Sequence, residues 1–233
     1  KTYARQQLLD VCRRKGNDMK RERRIAGIDV SHWEGDIDFR EVKQAGIRFV
    51  YIKASEGTTD IDPDFERNYR EARKARLKIG FYHYVTARTE DEGRAEARHF
   101  ADVIRGKKYH GCPVMDFESF GNLTKERINE VSLAFMQELS DATGKRVAIY
   151  SDANNATNTF DIRLSVYPLW IAEYGVSRPD MRNHWRRWAG WQYTDSGRVE
   201  GISGTVDRDY FTEDILTSRS SVLNDKDDPE PCE

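Results

Sequence analysis

The sequence predicts an α/β protein whose strands close into a barrel. Three observations predict it. Short apolar runs alternate with amphipathic stretches up to about residue 150, the pattern of parallel strands joined by crossover helices. Eight apolar runs fall between residues 25 and 216, five in regular strand–helix units and three joined more irregularly. The first run ends in Ile28-Asp29-Val30-Ser31-His32, without the Gly-rich phosphate turn usual after the first strand of a doubly wound open sheet. That open sheet is the structural alternative.

The elements follow in order. Strands are expected at 25–30, 47–54, 77–85, 113–117, 146–150, 169–172, 189–193 and 205–207. A short helix over 38–45 exits at Gly46, a residue suited to a helix C-terminus. Asp62-Pro63 reads as the opening of a second helix, Asp at the N-cap and Pro in the first turn, with Phe65, Tyr69, Ala72 and Ala75 on one face. Thr89 and Glu92 form a capping box for a helix reaching about residue 105. The longest helix runs from Thr124 to Gly144 and carries Ile128, Val131, Phe135 and Leu139 on one side. Beyond residue 150 long helical periodicity disappears, and the connections are rich in Asn, Asp, Gly, Ser, Trp and Arg.

The 233 residues can bury one sizeable core. With 38 Lys and Arg against 40 Asp and Glu, the chain lacks the basic excess of a nucleic-acid binder. Residues 1–24 form a basic extension or linker, with nine basic against three acidic residues, and 217–233 an acidic tail. Both read first as solvated ends; a basic arm meeting an anionic wall polymer is the other reading. No apolar run is long enough for a membrane span, and no export signal is visible. Cys12, Cys112 and Cys232 fit no zinc spacing and leave open a single long-range disulfide.

The stretch Cys-Pro-Val-Met-Asp-Phe-Glu-Ser at 112–119 is the most informative. Side chains two apart on a strand share a face, so the roots of Asp116 and Glu118 are expected roughly 6.6 Å apart, from about 3.3 Å of rise per residue. Two acids so placed suit glycosidic cleavage, one giving a proton to the leaving oxygen and the other supporting the developing positive charge. A solvated strand end or a metal-binding pair is the plain alternative. Asp29 and Asp207 also end expected strands, the first and the eighth, which are neighbours in a closed barrel. The C-terminal strand ends form the active face of such barrels, so these four acids are expected to share one cleft and raise at least one pKa. Glu118 is the expected general acid, because its longer side chain reaches farther. Asp116 is expected to act as nucleophile, charge stabiliser or orienting group. Asp209 reads as structural or solvent-facing, and Glu56 as reaching the cleft or bracing Lys53. Tyr82, Tyr150, Trp170 and Tyr174 are candidates for a sugar-binding groove, with core packing as the alternative. The run His184, Trp185, Arg186, Arg187 and Trp188 reads as a loop packed onto the barrel. No H-E-x-x-H, G-x-S-x-G or Walker pattern occurs.

Seven collinear stretches, at 27–38, 51–57, 79–84, 113–118, 167–174, 191–193 and 201–211, resemble glycoside hydrolase family 25, the Chalaropsis-type N-acetylmuramidases. The resemblance covers residues 25–216 and implies an irregular TIM-like (β/α)5β3 barrel, with Glu118 as acid/base. It implies a lysozyme cutting the β-1,4 bond between N-acetylmuramic acid and N-acetylglucosamine in bacterial peptidoglycan. The expected setting is extracellular or at the cell wall, as a monomer needing no cofactor or metal. A non-catalytic peptidoglycan-binding module on the same barrel is the alternative. Asp209 stands where the family often has Asn.

Overall fold

Alternation along each strand decides which side chains enter the barrel and which face the helices. The computed structural model describes residues 24–217; the N-terminal extension up to residue 23, the acidic tail from residue 218, Cys12 and Cys232 lie outside the described residues. Strands β1 (Ile25–Val30), β2 (Phe49–Glu56), β4 (Lys78–Tyr84), β5 (Val114–Asp116), β6 (Ala148–Asp152), β7 (Leu169–Ala172) and β8 (Gly190–Gly197) run parallel in succession. Strand β9 (Val206–Phe211) closes the ring, antiparallel to both β8 and β1. A two-residue strand β3 (Asp60–Ile61), not foreseen in the sequence, folds back on the end of β2. The last strand reverses direction because only residues 198–205 connect β8 to β9. A parallel return needs a crossover of about a dozen residues or more.

The helices form where the caps place them. Helix α1 (Phe39–Gln44) starts at Asp38, whose carboxylate accepts from the Arg40 and Glu41 amides. Helix α3 (Glu90–Val103) has the Thr89/Glu92 capping box, and α4 (Lys125–Thr143) starts at Thr124 and stops at Gly144 with φ 62°. Helix α2 (Phe65–Lys74) corrects the expected start: its N-cap position is Asp64, not Asp62. Asp62 is committed elsewhere, accepting from the His32 amide at 3.1 Å and meeting His32 Nδ1 at 2.7 Å. The other oxygen of Asp62, Oδ1, accepts from the Asp64 amide at 3.0 Å, so Asp62 holds the turn just before the helix as well. A short helix α5 (Ala153–Asn158) follows β6. Among the described residues no helix is long and apolar enough to cross a membrane.

Two cores result. Outward-facing Ile28, Val50, Ile52, Phe81, Ile149 and Ile171 pack against Phe65, Phe100, Val131, Phe135 and Leu139 from the helices. Inside the barrel, Phe49, Tyr51, Trp170 and Phe211 fill the lower half with the free, buried Cys112. Tyr51 stacks on Trp170 with centroids 4.7 Å apart, and Phe211 meets Phe49 at 4.9 Å. These rings fit because inward positions opposite them lack side chains. A Cβ on Gly190 would lie 2.8 Å from both Phe211 and Trp170, and one on Gly80 would overlap the Tyr51 ring. Gly80→Ala is therefore expected to destabilise the fold by about 2–3 kcal/mol through overpacking, read as a lower urea midpoint with an unchanged slope. An unchanged midpoint would mean that the aromatic plug is loosely packed. The plug closes the lower barrel and forms the floor under the polar upper layer.

Candidate active site

The inward positions at the mouth are polar and come from six strands; Asp207, expected to end the last strand, instead stands near its start, because that strand runs antiparallel from Val206 to Phe211. Strand β1 supplies Asp29, β4 Tyr82, β5 Asp116, β6 Tyr150, β8 Gln192, and β9 both Asp207 and Asp209. Asp29 lies directly opposite Asp207 in the antiparallel register. Asp207 and Asp209 share the inward phase of β9, because side chains two apart point the same way.

Asp116 is the last residue of β5 and is 8% exposed. Glu118 lies just beyond the strand and opens to solvent along the mouth. The two carboxyls lie close enough for the charge of Glu118 to disfavour ionisation of Asp116. Burial pushes Asp116 well above the usual carboxylate range, with the charge of Glu118 next in importance and Lys53 opposing. Glu118 is also raised, first by desolvation; Asp116 pulls down and the charge of Asp152 pushes up. Both acids are thus held above the ordinary carboxylate range, Asp116 deep in the mouth and Glu118 at its opening. One oxygen of Asp116, Oδ1, is buried without a hydrogen-bond partner. Lys53 is braced by Glu56 at 2.7 Å, the second of the two expected roles for Glu56.

Across the mouth, Gln192 is the hub of a buried network. Its Nε2 donates to Asp29 Oδ2 at 2.9 Å and to Asp207 Oδ2 at 3.2 Å. Its Oε1 accepts from Tyr150 at 2.9 Å and from Tyr174 at 2.5 Å. Desolvation raises Asp29, followed by the charges of Asp209 and Asp207. Asp207 is pushed up to about 6 by desolvation, then by Glu34, Asp195 and Glu118. Asp209 is fully buried, so it is not solvent-facing. Its Oδ1 accepts from Trp170 Nε1 at 2.8 Å, while its Oδ2 is buried without a hydrogen-bond partner. The expectation that Trp170 lines a sugar groove is corrected by the same contact: at 2% exposure the indole lies beneath the carboxylates and holds one of them. Tyr174 is 43% exposed at the rim, while Tyr82 and Tyr150 form the floor.

Gln192, the buried position of Asp209 and the rim residue Trp33 were not read as site features in the sequence. The period of two from Asp207 was a usable signal for Asp209. Gln192 sits in the Trp-Gln-Tyr stretch, but only the inward phase of β8 reveals its partners. Trp33 is 80% exposed on the turn after β1, stacked against His32 at 4.4 Å.

Raised carboxyls make stability depend on pH. A group whose folded pKa exceeds its unfolded one favours the fold fully below the unfolded value, and that contribution is lost as pH climbs through the folded value. For Asp207 the window runs from the ordinary carboxyl value of 3.8 to about 6, and Asp29, Asp116 and Asp209 act in the same direction. The melting temperature is expected to fall as pH rises across this window, and Asp207→Asn to flatten the slope. Identical slopes in wild type and variant would remove Asp207 from the coupled cluster.

A concavity of about 900 Å³ lies outside the barrel between α1, α2 and residues 201–203. Several of its charges pair with each other, including Arg67 with Asp36 and Lys74 with Glu71, so the chemistry lies in the mouth instead. Among the described residues no group of three or more His, Cys, Asp or Glu is placed to hold a metal ion.

An eight-stranded α/β barrel with a pair of raised-pKa carboxyls at its mouth defines a glycosidase-type cleft. Comparison with known proteins agrees. Residues 28–202 match the family described as glycosyl hydrolases family 25. The chain is 37% identical over 200 residues to an autolytic lysozyme of Clostridium acetobutylicum, covering 86% of this chain and 60% of that protein. It is 26% identical to an N,O-diacetylmuramidase of Chalaropsis, covering 78% and 96%. The structure is similar to that of a bacterial lysozyme from Streptomyces coelicolor, with TM-score 0.69 and 33% identity over 80% of this chain and 91% of that one. The chain belongs to glycosyl hydrolases family 25. It spans 60% of the length of the clostridial relative.

Proposed function

We propose that this chain is a muramidase that hydrolyses the β-1,4 bond between N-acetylmuramic acid and N-acetylglucosamine in peptidoglycan, acting outside the cell or at the wall as a monomer. The observation that carries this reading is the pair of carboxyls Asp116 and Glu118 at the open end of the barrel, both pushed above the ordinary carboxylate range by burial. Family membership supports the substrate.

Substrate binding decides where the proton sits. A sugar lying across the mouth covers Glu118 and adds desolvation, which raises its pKa. The N–H of the sugar's 2-acetamido group finds an acceptor in the unpartnered Oδ1 of Asp116, which favours the charged form of Asp116. Both effects keep the proton on Glu118, which gives it to the leaving glycosidic oxygen. Asp116, now ionised, holds the acetamido group so that its carbonyl oxygen attacks the anomeric carbon. Glu118 then takes a proton from the water that opens the resulting ring, and configuration is retained. Asp29 and Asp207 line the far side, where positive charge develops at the sugar. Tyr174 and Trp33 offer exposed faces at the rim.

Mass spectrometry of digested peptidoglycan tests the assignment. Muramic acid is expected at each new reducing end. Glucosamine at those ends would replace the muramidase reading with a glucosaminidase, and intact glycan strands would overturn both.

A further inference from the structure

The opposite end of the barrel carries a second, chemically different concavity. It has a volume of about 300 Å³ and is lined by Arg146, His184, Arg186, Arg187, Trp188 and Asp214, among others. Arg146 precedes β6, Ala189 precedes β8 and Asp214 follows the antiparallel β9, so this pocket lies at the N-terminal strand ends, away from the mouth. Its cations outnumber its acids, in a chain of formal net charge -2. Several surface arginines elsewhere are matched by neighbouring carboxylates, as in Arg67 with Asp64, Arg163 with Asp161 and Arg182 with Asp180. Here Arg187 meets Asp214 at 2.8 Å, Arg146 makes one long contact to the Leu216 carbonyl at 3.4 Å, and Arg186 has no hydrogen bond or ion pair among the described residues. Trp185 and Trp188 stiffen the wall: Trp185 is buried with its Nε1 donating to the Tyr167 carbonyl at 2.9 Å, and Arg24 lies over Trp188. The loop does pack onto the barrel, as its sequence suggests, but its arginines project from it.

Like charges converging in one concavity repel unless an anion joins them. Guanidinium groups match phosphate oxygens in a bidentate fork. The geometry points to a binding site for the phosphodiester groups of an anionic polyol-phosphate polymer at the base of the barrel. The choice of a wall polymer over other phosphates rests on the wall-hydrolase reading. Charge polarity supports it, because the acidic mouth repels such a polymer while the basic end draws it in. A polymer held at the base would tether the protein to the wall and leave the catalytic end free for the glycan.

The test uses the full chain and soluble poly(glycerol phosphate), with binding followed calorimetrically at rising salt. Wild type is expected to bind with an affinity that falls as salt rises. Arg186→Gln, an exposed site with no partner to lose, is expected to weaken binding about tenfold, and Arg146→Gln with Arg186→Gln to weaken it further and reduce the salt dependence. Cleavage of a soluble glycan oligomer by Arg186→Gln should match wild type. Absence of wild-type binding, or equal binding by wild type and both variants, would overturn the site. So would a preference for phosphatidylglycerol vesicles over the polymer that the same variants abolish. Binding is read without turnover, so its failure leaves the hydrolase reading standing, and failure of hydrolysis leaves the binding result standing.

Discussion

Glu118→Gln is expected to lower kcat on bacterial walls by about 10³-fold, within the range that a positioned general acid supplies. The substitution preserves size and removes only the transferable proton. The side chain is exposed at the mouth, so the fold should survive with an unchanged or slightly higher melting temperature. Asp116→Asn separates the pair. It removes the charged acceptor for the acetamido group, so a loss of similar size is expected. The two losses should not add, because the residues act in one step. Turbidity clearing by the two single variants and the double variant checks this. A double variant whose loss is the product of the single ones would show independent roles and end the paired mechanism. Full activity of Glu118→Gln would remove Glu118 from the chemistry altogether.

Gln192→Leu should have the second-largest effect, on both stability and activity. The amide separates Asp29 from Asp207 by donating to both and anchors Tyr150 and Tyr174 through its oxygen. Leucine leaves two acids and two hydroxyls short of partners around a buried position. At about 1–3 kcal/mol for each buried group left unsatisfied, partly offset by added apolar contact, a net loss of about 3–4 kcal/mol is expected. Because the Gln192 bond lowers the Asp29 pKa, its loss should steepen the fall of stability between acidic and neutral pH. Activity should drop about 100-fold as the far wall of the cleft loses its geometry. Gln192→Glu is the sharper control. It adds another carboxyl to the cluster, so its deficit should exceed that of leucine at neutral pH and shrink on acidification. Denaturant melts at two pH values decide the matter. A leucine variant as stable as wild type at both would mean that the network carries no net stability.

The strand ends were legible because strand residues alternate and barrels place chemistry at one end. The period of two from Asp116 to Glu118 marked the acid pair, although the regular strand stops at Asp116 and Glu118 reaches the cleft from the segment after it. The helix starts at Thr89 and Thr124 were legible from local capping chemistry. The start at Asp62 was displaced by two residues: its carboxylate accepts from the Asp64 amide in a turn before the helix, and its other oxygen meets His32, thirty residues earlier. Trp170 was misjudged. Aromatic rings suit a sugar face and a barrel floor equally well, and only packing against Tyr51 and Phe211 with a bond to Asp209 distinguishes them.

The sequence by itself determined the alternating α/β plan, the acids at the strand ends and the small residues that admit large rings, since each depends on residue type and local period. The tertiary structure alone decided which acids are raised, that Gln192 joins two strands' acids to two tyrosines, and that arginines gather at the far end. Those properties depend on burial and on distances between segments remote in the chain. Desolvation and Coulomb interaction act through space, where sequence spacing carries no information.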